Sequence, residues 1–311
     1  MDYLVTGGAG FIGSHLVERL IGLGASVRVA DSFITGKKKN LAPFEGKYEL
    51  LEGDLADPAI CARAVAGVRV VLHQAALGSV PKSVADPATS HRNNVQATFN
   101  LLNAAREAGV KRFIYAASSS AYGESPTLPK VESMPTSPLS PYAVQKLMGE
   151  YYLSVFHRCY GMETISLRYF NVFGPRQDPH GQYAAVIPAF VSAMLKGKSP
   201  TIYGDGEQSR DFTYVENVVN ANLAAVDAKA LHGEVVNIAC HDRVTLNEMI
   251  RHLNTLLGTT ITPTYAPPRP GDIKHSYADI RLAEQVIGYK PTVTFADGLS
   301  RAIEWYRRNL D

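Results

Sequence analysis

The sequence predicts an α/β chain: a doubly wound parallel sheet with a smaller C-terminal α/β region laid over it. Three observations predict this. Strand-like and helix-like segments alternate from the first residues, and the strands are near-continuous apolar runs, as a parallel sheet covered on both faces requires. A glycine triplet also stands between the first strand and the first helix.

Taken in order, Tyr3–Thr6 reads as a strand and 11–23 as a helix. Strands follow at 26–30 and 48–52, then a helix at 59–66. Residues 68–73, VRVVLH, are almost all β-branched or apolar and read as a buried strand. A helix over 94–108 leads into a strand at 112–117, and a helix over 142–160 precedes a strand at 163–168. Beyond Asn171, Pro175, Pro179, Pro188 and Pro200 break the chain into short pieces, as do Pro263, Pro267, Pro268 and Pro270 later. GEVVNIA at 233–239 reads as one more strand of the main sheet. The predicted domains are therefore interleaved: 1–170, rejoined by about 216–240, and 171–311.

At 311 residues, with 46% apolar and 19% charged, the chain is long enough to bury one large core and a smaller one. A formal charge of +2 provides no global field to recruit nucleic acid or a membrane surface. Cys61, Cys159 and Cys240 are far apart and lack CxxC spacing, which predicts free thiols in a reducing compartment and no metal. No apolar run reaches the roughly 18 residues of a membrane span. The start, MDYLVTGG, enters a strand with no basic stretch and apolar leader before it. The expectation is a cytoplasmic protein.

Gly7, Gly10 and Gly13 have GxxGxxG spacing, with Phe11 and Ile12 in the first helical turn. Such glycines allow a tight turn and close backbone approach to a pyrophosphate at a helix N-terminus. Asp31 follows Gly13 by 18 residues, at the end of the second strand. A carboxylate there accepts hydrogen bonds from ribose hydroxyls and repels a 2′-phosphate, which predicts NAD in preference to NADP. Asp54-Leu55 and Gln74-Ala75-Ala76 follow later strands, at carboxyl ends where a doubly wound sheet presents groups to a ligand.

Tyr142 and Lys146 are four apart and share one helix face. A nearby ammonium favours the phenolate and makes the tyrosine a usable base. Alone, YxxxK also describes an ordinary amphipathic helix. Ser118 ends the 112–117 strand, where its hydroxyl can share a hydrogen bond with Tyr142.

With TGGAGFIG, this YxxxK pair and the serine strand end in order, the chain resembles the extended short-chain dehydrogenase/reductases. It is most similar to their nucleotide-sugar 4-epimerases. The likeness runs through HQAALGSVPKS, SSSAYGE, SPYAVQK, RYFNVFGPRQ, IYGDGEQSRDF and RPGDIKHSYADI, essentially the whole chain. It implies a Rossmann fold, bound NAD, and Ser118, Tyr142 and Lys146 as catalytic residues. Lys146 would also bond the nicotinamide ribose, and the positive nicotinamide would add to the pull on Tyr142. The implied reaction passes a hydride from the sugar C4 to NAD, turns the 4-keto sugar over, and returns the hydride to the other face.

Related 4,6-dehydratases carry a carboxylate pair just after the serine; Ser119 and Ser120 stand here instead, which disfavours dehydration. The resemblance further implies Arg210 and Arg269 on the diphosphate, Tyr203 at the uracil and Asp272 on the uridine ribose. It puts Asn171 on the substrate, Phe170 beside the nicotinamide, Asn94 on the cofactor side and Lys82 near the cofactor phosphates. Ser276 stands where glucose/galactose-restricted relatives carry a tyrosine. With Gly78 and Ser79 it suggests a roomy wall that admits an N-acetyl group, as in the UDP-GlcNAc/UDP-GalNAc subgroup, with the plain pair UDP-Glc/UDP-Gal as further candidate substrates. A UDP-glucuronate 4-epimerase, with Arg176 near the pocket, is the rival enzyme, although Asn171 replaces the threonine expected there. A non-catalytic NAD-sensing regulator on the same scaffold is the alternative of another class. The family commonly forms homodimers through two helices per subunit, here 94–108 and 142–160. Val95, Phe99, Leu102 and Ala105 suit that interface or the internal core equally.

Overall fold

The computed structural model describes residues 1–178, 185–268 and 274–309. The large sheet is built from β1 (Tyr3–Thr6), β2 (Val27–Asp31), β3 (Glu49–Glu52), β4 (Val70–His73), β5 (Arg112–Ser118) and β6 (Glu163–Tyr169). Short strands follow at β7 (Val172–Phe173), β8 (Thr201–Tyr203), β9 (Ser209–Arg210) and β10 (Thr213–Tyr214). β11 (Glu234–Ile238) then returns to the large sheet, before β12 (Val244–Thr245) and β13 (Thr264–Ala266). The seven-stranded order is β11-β6-β5-β4-β1-β2-β3, and every pairing in it is parallel. Strand order reverses between β1 and β4. That is the switch point at whose carboxyl ends a doubly wound sheet opens a crevice.

Alternation along each strand divides two cores. Val5, Val29, Leu72, Ile114 and Leu167 face α1 (Phe11–Gly22), α8 (Val215–Asp227) and α10 (Arg281–Ile287). Leu4, Ala30, Val71, Phe113 and Tyr115 face α2 (Pro58–Val65), α5 (Ala97–Glu107) and α6 (Pro141–Tyr160). A third core gathers Phe173, Phe190, Phe212, Tyr214, Met249, Leu253, Phe295 and Leu299 beneath α7 (Val186–Leu195), α9 (Leu246–Leu257) and α11 (Phe295–Asn309). α9 opens with a capping box, in which the Thr245 hydroxyl accepts from the Glu248 N–H and the Glu248 carboxylate from the Thr245 N–H.

The expected helix over 94–108 differs in its first turns. α3 (Val80–Ala85) and α4 (Pro87–His91) precede it, and residues Arg92–Gln96 form a π-turn that joins α4 to α5. Ser79 and Asp86 cap α3 and α4 by accepting from Lys82 N and Thr89 N, and each helix has proline in its first turn. Leu102 and Ala105 are fully buried in the chain's own core and Val95 nearly so, whereas Phe99 is exposed.

One buried ion pair ties the sheet to α6. Arg168 Nε and Nη2 donate to both Glu150 oxygens at 2.9 and 2.7 Å, and both side chains are almost fully buried. The Arg168 guanidinium also lies 4.6 Å from the Tyr122 ring centroid. Removing one partner of such a pair strands a buried charge. Arg168→Leu should therefore destabilise by about 3–5 kcal/mol in urea unfolding, and Glu150→Leu with Arg168→Leu together by clearly less than the single change.

Candidate active site

A cavity of about 990 Å³ opens along the carboxyl ends of β1, β2, β4, β5 and β6. Its volume lies at the upper end for a single small-molecule site, and its long run across the sheet suits two ligands end to end.

The glycine turn forms one end. Gly7 has φ +64°, and a Cβ there would stand 2.8 Å from the Ala75 backbone. A Cβ on Gly13 would stand 2.1 Å from the Gly7 carbonyl oxygen. Neither position admits a side chain, so the backbone of the turn and the start of α1 are bare to the cavity. Asp31 accepts from the N–H groups of Ala9 (2.9 Å) and Phe33 (2.8 Å). Burial nevertheless raises its pKa against the pull of those donors. A Cβ on Gly36 would meet the Asp31 carboxylate at 2.7 Å, so this glycine keeps the carboxylate approachable. Gly10, Phe11, Ile12, Asp54, Leu55, Gln74, Ala75 and Ala76 line the same end. Asp54 pairs with Arg92. The bare turn, the carboxylate at the end of β2 and the donors beyond β4 fit a dinucleotide whose adenosine ribose lies at Asp31.

Beneath this crevice the Thr98 hydroxyl donates to the Asn94 carbonyl (2.6 Å), which leaves it to accept from His73 Nε2 (2.9 Å). His73 Nδ1 then accepts from the Thr6 hydroxyl (2.7 Å), and the Thr6 oxygen accepts from Ala75 N–H (3.2 Å). Burial first and the Lys146 charge second hold the imidazole neutral, with its pKa lowered to about 3. The chain of bonds fixes one tautomer and pins the ends of β1 and β4 to α5.

At the other end α6 begins on Ser140, whose hydroxyl accepts from Ala143 N–H (3.2 Å), with Pro141 in the first turn. The Tyr142 N–H donates to the Ser83 hydroxyl (3.1 Å), tying α6 to α3. A Cβ on Gly149 would lie 2.5 Å from the Tyr115 ring, so α6 packs directly on β5. Tyr142 and Lys146 thereby reach the cavity beside Ser118. Ser120 donates to the Ser118 oxygen through its N–H (3.2 Å) and hydroxyl (2.8 Å), which leaves the Ser118 proton for Tyr142. That hydrogen bond lowers the Tyr142 pKa, but burial is the larger influence and raises it.

The expected pull of Lys146 on Tyr142 is thus corrected. The Lys146 ammonium donates to the Ala116 carbonyl at 2.7 Å, and burial lowers its own pKa to about 7 while Glu150 opposes the change.

Asn171, Phe170, Arg210 and Ser276 also line the cavity. Asn171 has φ +35°, and its amide donates to the Asp211 carbonyl (3.0 Å) and the Ser276 hydroxyl (3.2 Å). Four residues read as site residues from the sequence are not on the described wall. Ser79 faces its own helix as the α3 cap, and Lys82 is exposed on α3. Asn94 is buried: its amide oxygen accepts from Leu77 N–H (2.7 Å) and its amide N–H donates to Gln145 (2.8 Å). Asn93, its neighbour in the π-turn, is the one that lines the cavity. Tyr203 sits on β8, away from the wall. Arg269 and Asp272 lie outside the described residues. Lys130, Gly36 and His275 are wall residues that sequence reasoning passed over. Only Gly36 carried a local signal, a glycine five residues past Asp31.

The model of the NAD dependent epimerase/dehydratase family matches residues 3–239. A putative UDP-glucose 4-epimerase of Methanocaldococcus jannaschii is 41% identical, with 98% of each chain covered. The structure of a UDP-N-acetylglucosamine 4-epimerase from Methanobrevibacter ruminantium, in complex with UDP-N-acetylmuramic acid, is 42% identical over 99% of both chains, with a TM-score of 0.95. That of a UDP-glucose 4-epimerase from Thermotoga maritima with UDP-glucose is 39% identical over the full length of both, with a TM-score of 0.94.

The position of Lys146 has a measurable consequence in the cofactor-free protein. Its folded pKa of about 7 lies below the ordinary 10.5, so the unfolded chain binds more protons between those values. Stability should accordingly rise with pH through that window, with a contribution approaching ~1.4 kcal/mol per pH unit from this group. Lys146→Met should be more stable than the parent at pH 7 and lose that advantage by pH 10, as read from urea unfolding midpoints.

Proposed function

The chain belongs to the NAD-dependent epimerase/dehydratase family, and from that premise we propose that it inverts C4 of a UDP-hexose, with UDP-GlcNAc and UDP-GalNAc as its substrates. One observation carries the reading: Ser118, Tyr142 and Lys146 meet at the carboxyl end of β5, where Ser119 and Ser120 follow in place of carboxylates. The acids on the described cavity wall are Asp31 and Asp54, both at the opposite end, and Glu124 is exposed outside it. Among the described residues, no carboxylate lines the hexose end of the cavity to take a proton from C5 or protonate a leaving C6 hydroxyl, as dehydration needs.

When bound, NAD supplies the acceptor for the hydride from the sugar C4 and later gives it back. The chain's own residues manage the proton. The Ser118 hydroxyl holds the sugar O4 and Tyr142 takes its proton as C4 becomes a ketone. Lys146, deep in the site, would bond the cofactor ribose. After the ketone turns over, Tyr142 returns the proton to O4 on the new face. The reaction is redox-neutral overall.

Ser276 supports the choice of sugar. Its hydroxyl is held by the Asn171 amide and its small side chain leaves the wall open. The glucuronate reading rested on Arg176, which instead pairs with Glu18 and donates to the Ser14 hydroxyl (3.3 Å), away from the cavity. We take the enzyme to be a cytoplasmic homodimer. Phe99 on α5 and Val144, Tyr151 and Val155 on α6 are exposed apolar side chains on two neighbouring helices, which supports pairing there. Among the described residues no helix is long and apolar enough to cross a membrane.

Tyr142→Phe should lower kcat for UDP-GlcNAc epimerisation by about 10²–10⁴ with little change in UDP affinity; full activity in that variant sinks the acid/base assignment. Ser276→Tyr should suppress turnover of the N-acetylated pair and spare UDP-galactose, measured by coupled assay on both. Equal loss on both would remove Ser276 from the specificity argument.

A further inference from the structure

The stretch that carries Ser276 has no regular structure of its own to fix it. Residues 274–280 belong to no helix or strand and meet their neighbours through single bridges, Ser209 to His275 and Lys130 to Ala278. A buried side chain behind the cavity wall holds them. Asp211 follows Arg210 of the wall, is fully buried, and takes part in none of the ion pairs among the described residues. Its carboxylate accepts from Cys240 N–H (2.9 Å), just past β11, and from Ala278 N–H (3.3 Å). Its own carbonyl accepts from the Asn171 amide, the group that also donates to the Ser276 hydroxyl. One residue thus joins three wall segments that are far apart in sequence.

The other backbone group of Ala278 is held as well. His241, next to Cys240, donates from Nδ1 to the Ala278 carbonyl (2.7 Å), so its Nε2 accepts from the Tyr277 hydroxyl (3.0 Å). His241 has φ +55°, a left-handed conformation that costs a residue other than glycine free energy. Asp211 is costly too. Burial pushes its pKa up to about 7, against the N–H groups of Cys240, Ala278 and Asp242, and the Asp242 charge adds to the rise. A fold that needed only to fill this volume would do so better with an apolar side chain. Two unfavourable features therefore converge on Ala278, two residues from Ser276.

We propose that Asp211 and His241 are positioning residues for the sugar pocket: by gripping both backbone groups of Ala278 they set how far the Ser276 side of the wall stands from the hexose, and with it the preference for an N-acetylated over a plain UDP-hexose. The inference rests on the UDP-sugar reading above and deepens it. It assigns part of the sugar specificity to two residues that do not line the cavity.

Two variants of the NAD-loaded protein test it, with kcat and KM for UDP-GlcNAc and UDP-galactose and calorimetric affinity for UDP as readouts. Asp211→Asn keeps the shape but turns one acceptor oxygen into a donor that faces an N–H. His241→Gly removes the imidazole and relieves the backbone. Each should lower the ratio of kcat/KM for UDP-GlcNAc over UDP-galactose by at least about fivefold, through KM, with UDP affinity and kcat on UDP-galactose within about twofold of the parent. A role confined to folding would reduce the active fraction alone, scaling kcat on both sugars and leaving KM and the ratio unchanged. An unchanged ratio in either folded variant overturns the proposal. If Asp211→Asn does not fold, His241→Gly decides. A protein that binds both UDP-sugars but inverts neither contradicts the activity proposed above, and the ratio of the two binding affinities then decides this inference; absence of any UDP-sugar binding defeats both.

Discussion

The site depends on how closely α6 approaches β5. A helix normally stands off a sheet by the thickness of its side chains, but Gly149 lets the α6 backbone rest on the Tyr115 ring. Lys146 and Tyr142 lie about one and two turns earlier on that helix, and Ser118 ends the strand beneath it. The depth of Gly149 therefore sets the distance between three polar groups drawn from two elements. The Glu150–Arg168 pair, one residue along, anchors the same turn of helix to β6. Packing and ion pairing thus act at one level of the helix, and the rotamers of Tyr142 and Lys146 have a rigid base.

Polarity along the cavity follows from topology. The reversal of strand order puts β2 and β3 on one side of the crevice and β5 and β6 on the other. Carboxylates close the first pair and cations surround the second. A dinucleotide laid across the switch point would have its adenosine ribose hydroxyls at the acidic end and its nicotinamide at the basic end. Neutral His73, locked between Thr6 and Thr98, lies under the middle without adding charge to either.

Much of this was legible in the sequence because it is local. The glycine turn, Asp31 and Ser118 sit at strand ends, and an apolar run followed by a polar residue reveals a strand end directly. β11 was legible as well, through its apolar run, despite its distance from the other strands. What escaped depended on contacts distant in sequence or on fine local geometry. Lys130 is buried by a bridge to Ala278, which no window around Lys130 contains. Asn93 and not Asn94 lines the cavity, where a π-turn opens the helix. Ser79 and Asp86 were ordinary caps preceding proline, a signal present in the sequence and passed over in favour of a site residue. The sequence points the Tyr142 phenol to its ammonium neighbour, but its pKa answers to burial first and to the Ser118 hydrogen bond second.

The place of β11 bears on how the chain can be made and divided. β6 is completed on its outer side only by residues Glu234–Ile238, which leave the ribosome well after the glycine turn and the catalytic helix. Until then β6 presents an open parallel edge, with Arg168 and Tyr169 on the strand that must be covered. A fragment cut just after residue 170 would keep every residue that the sequence assigns to the dinucleotide and yet expose that edge to a second chain. The nucleotide-binding half is contiguous in its chemistry but not in its sheet, so a soluble excised version has to carry the strand from the far side of the second region.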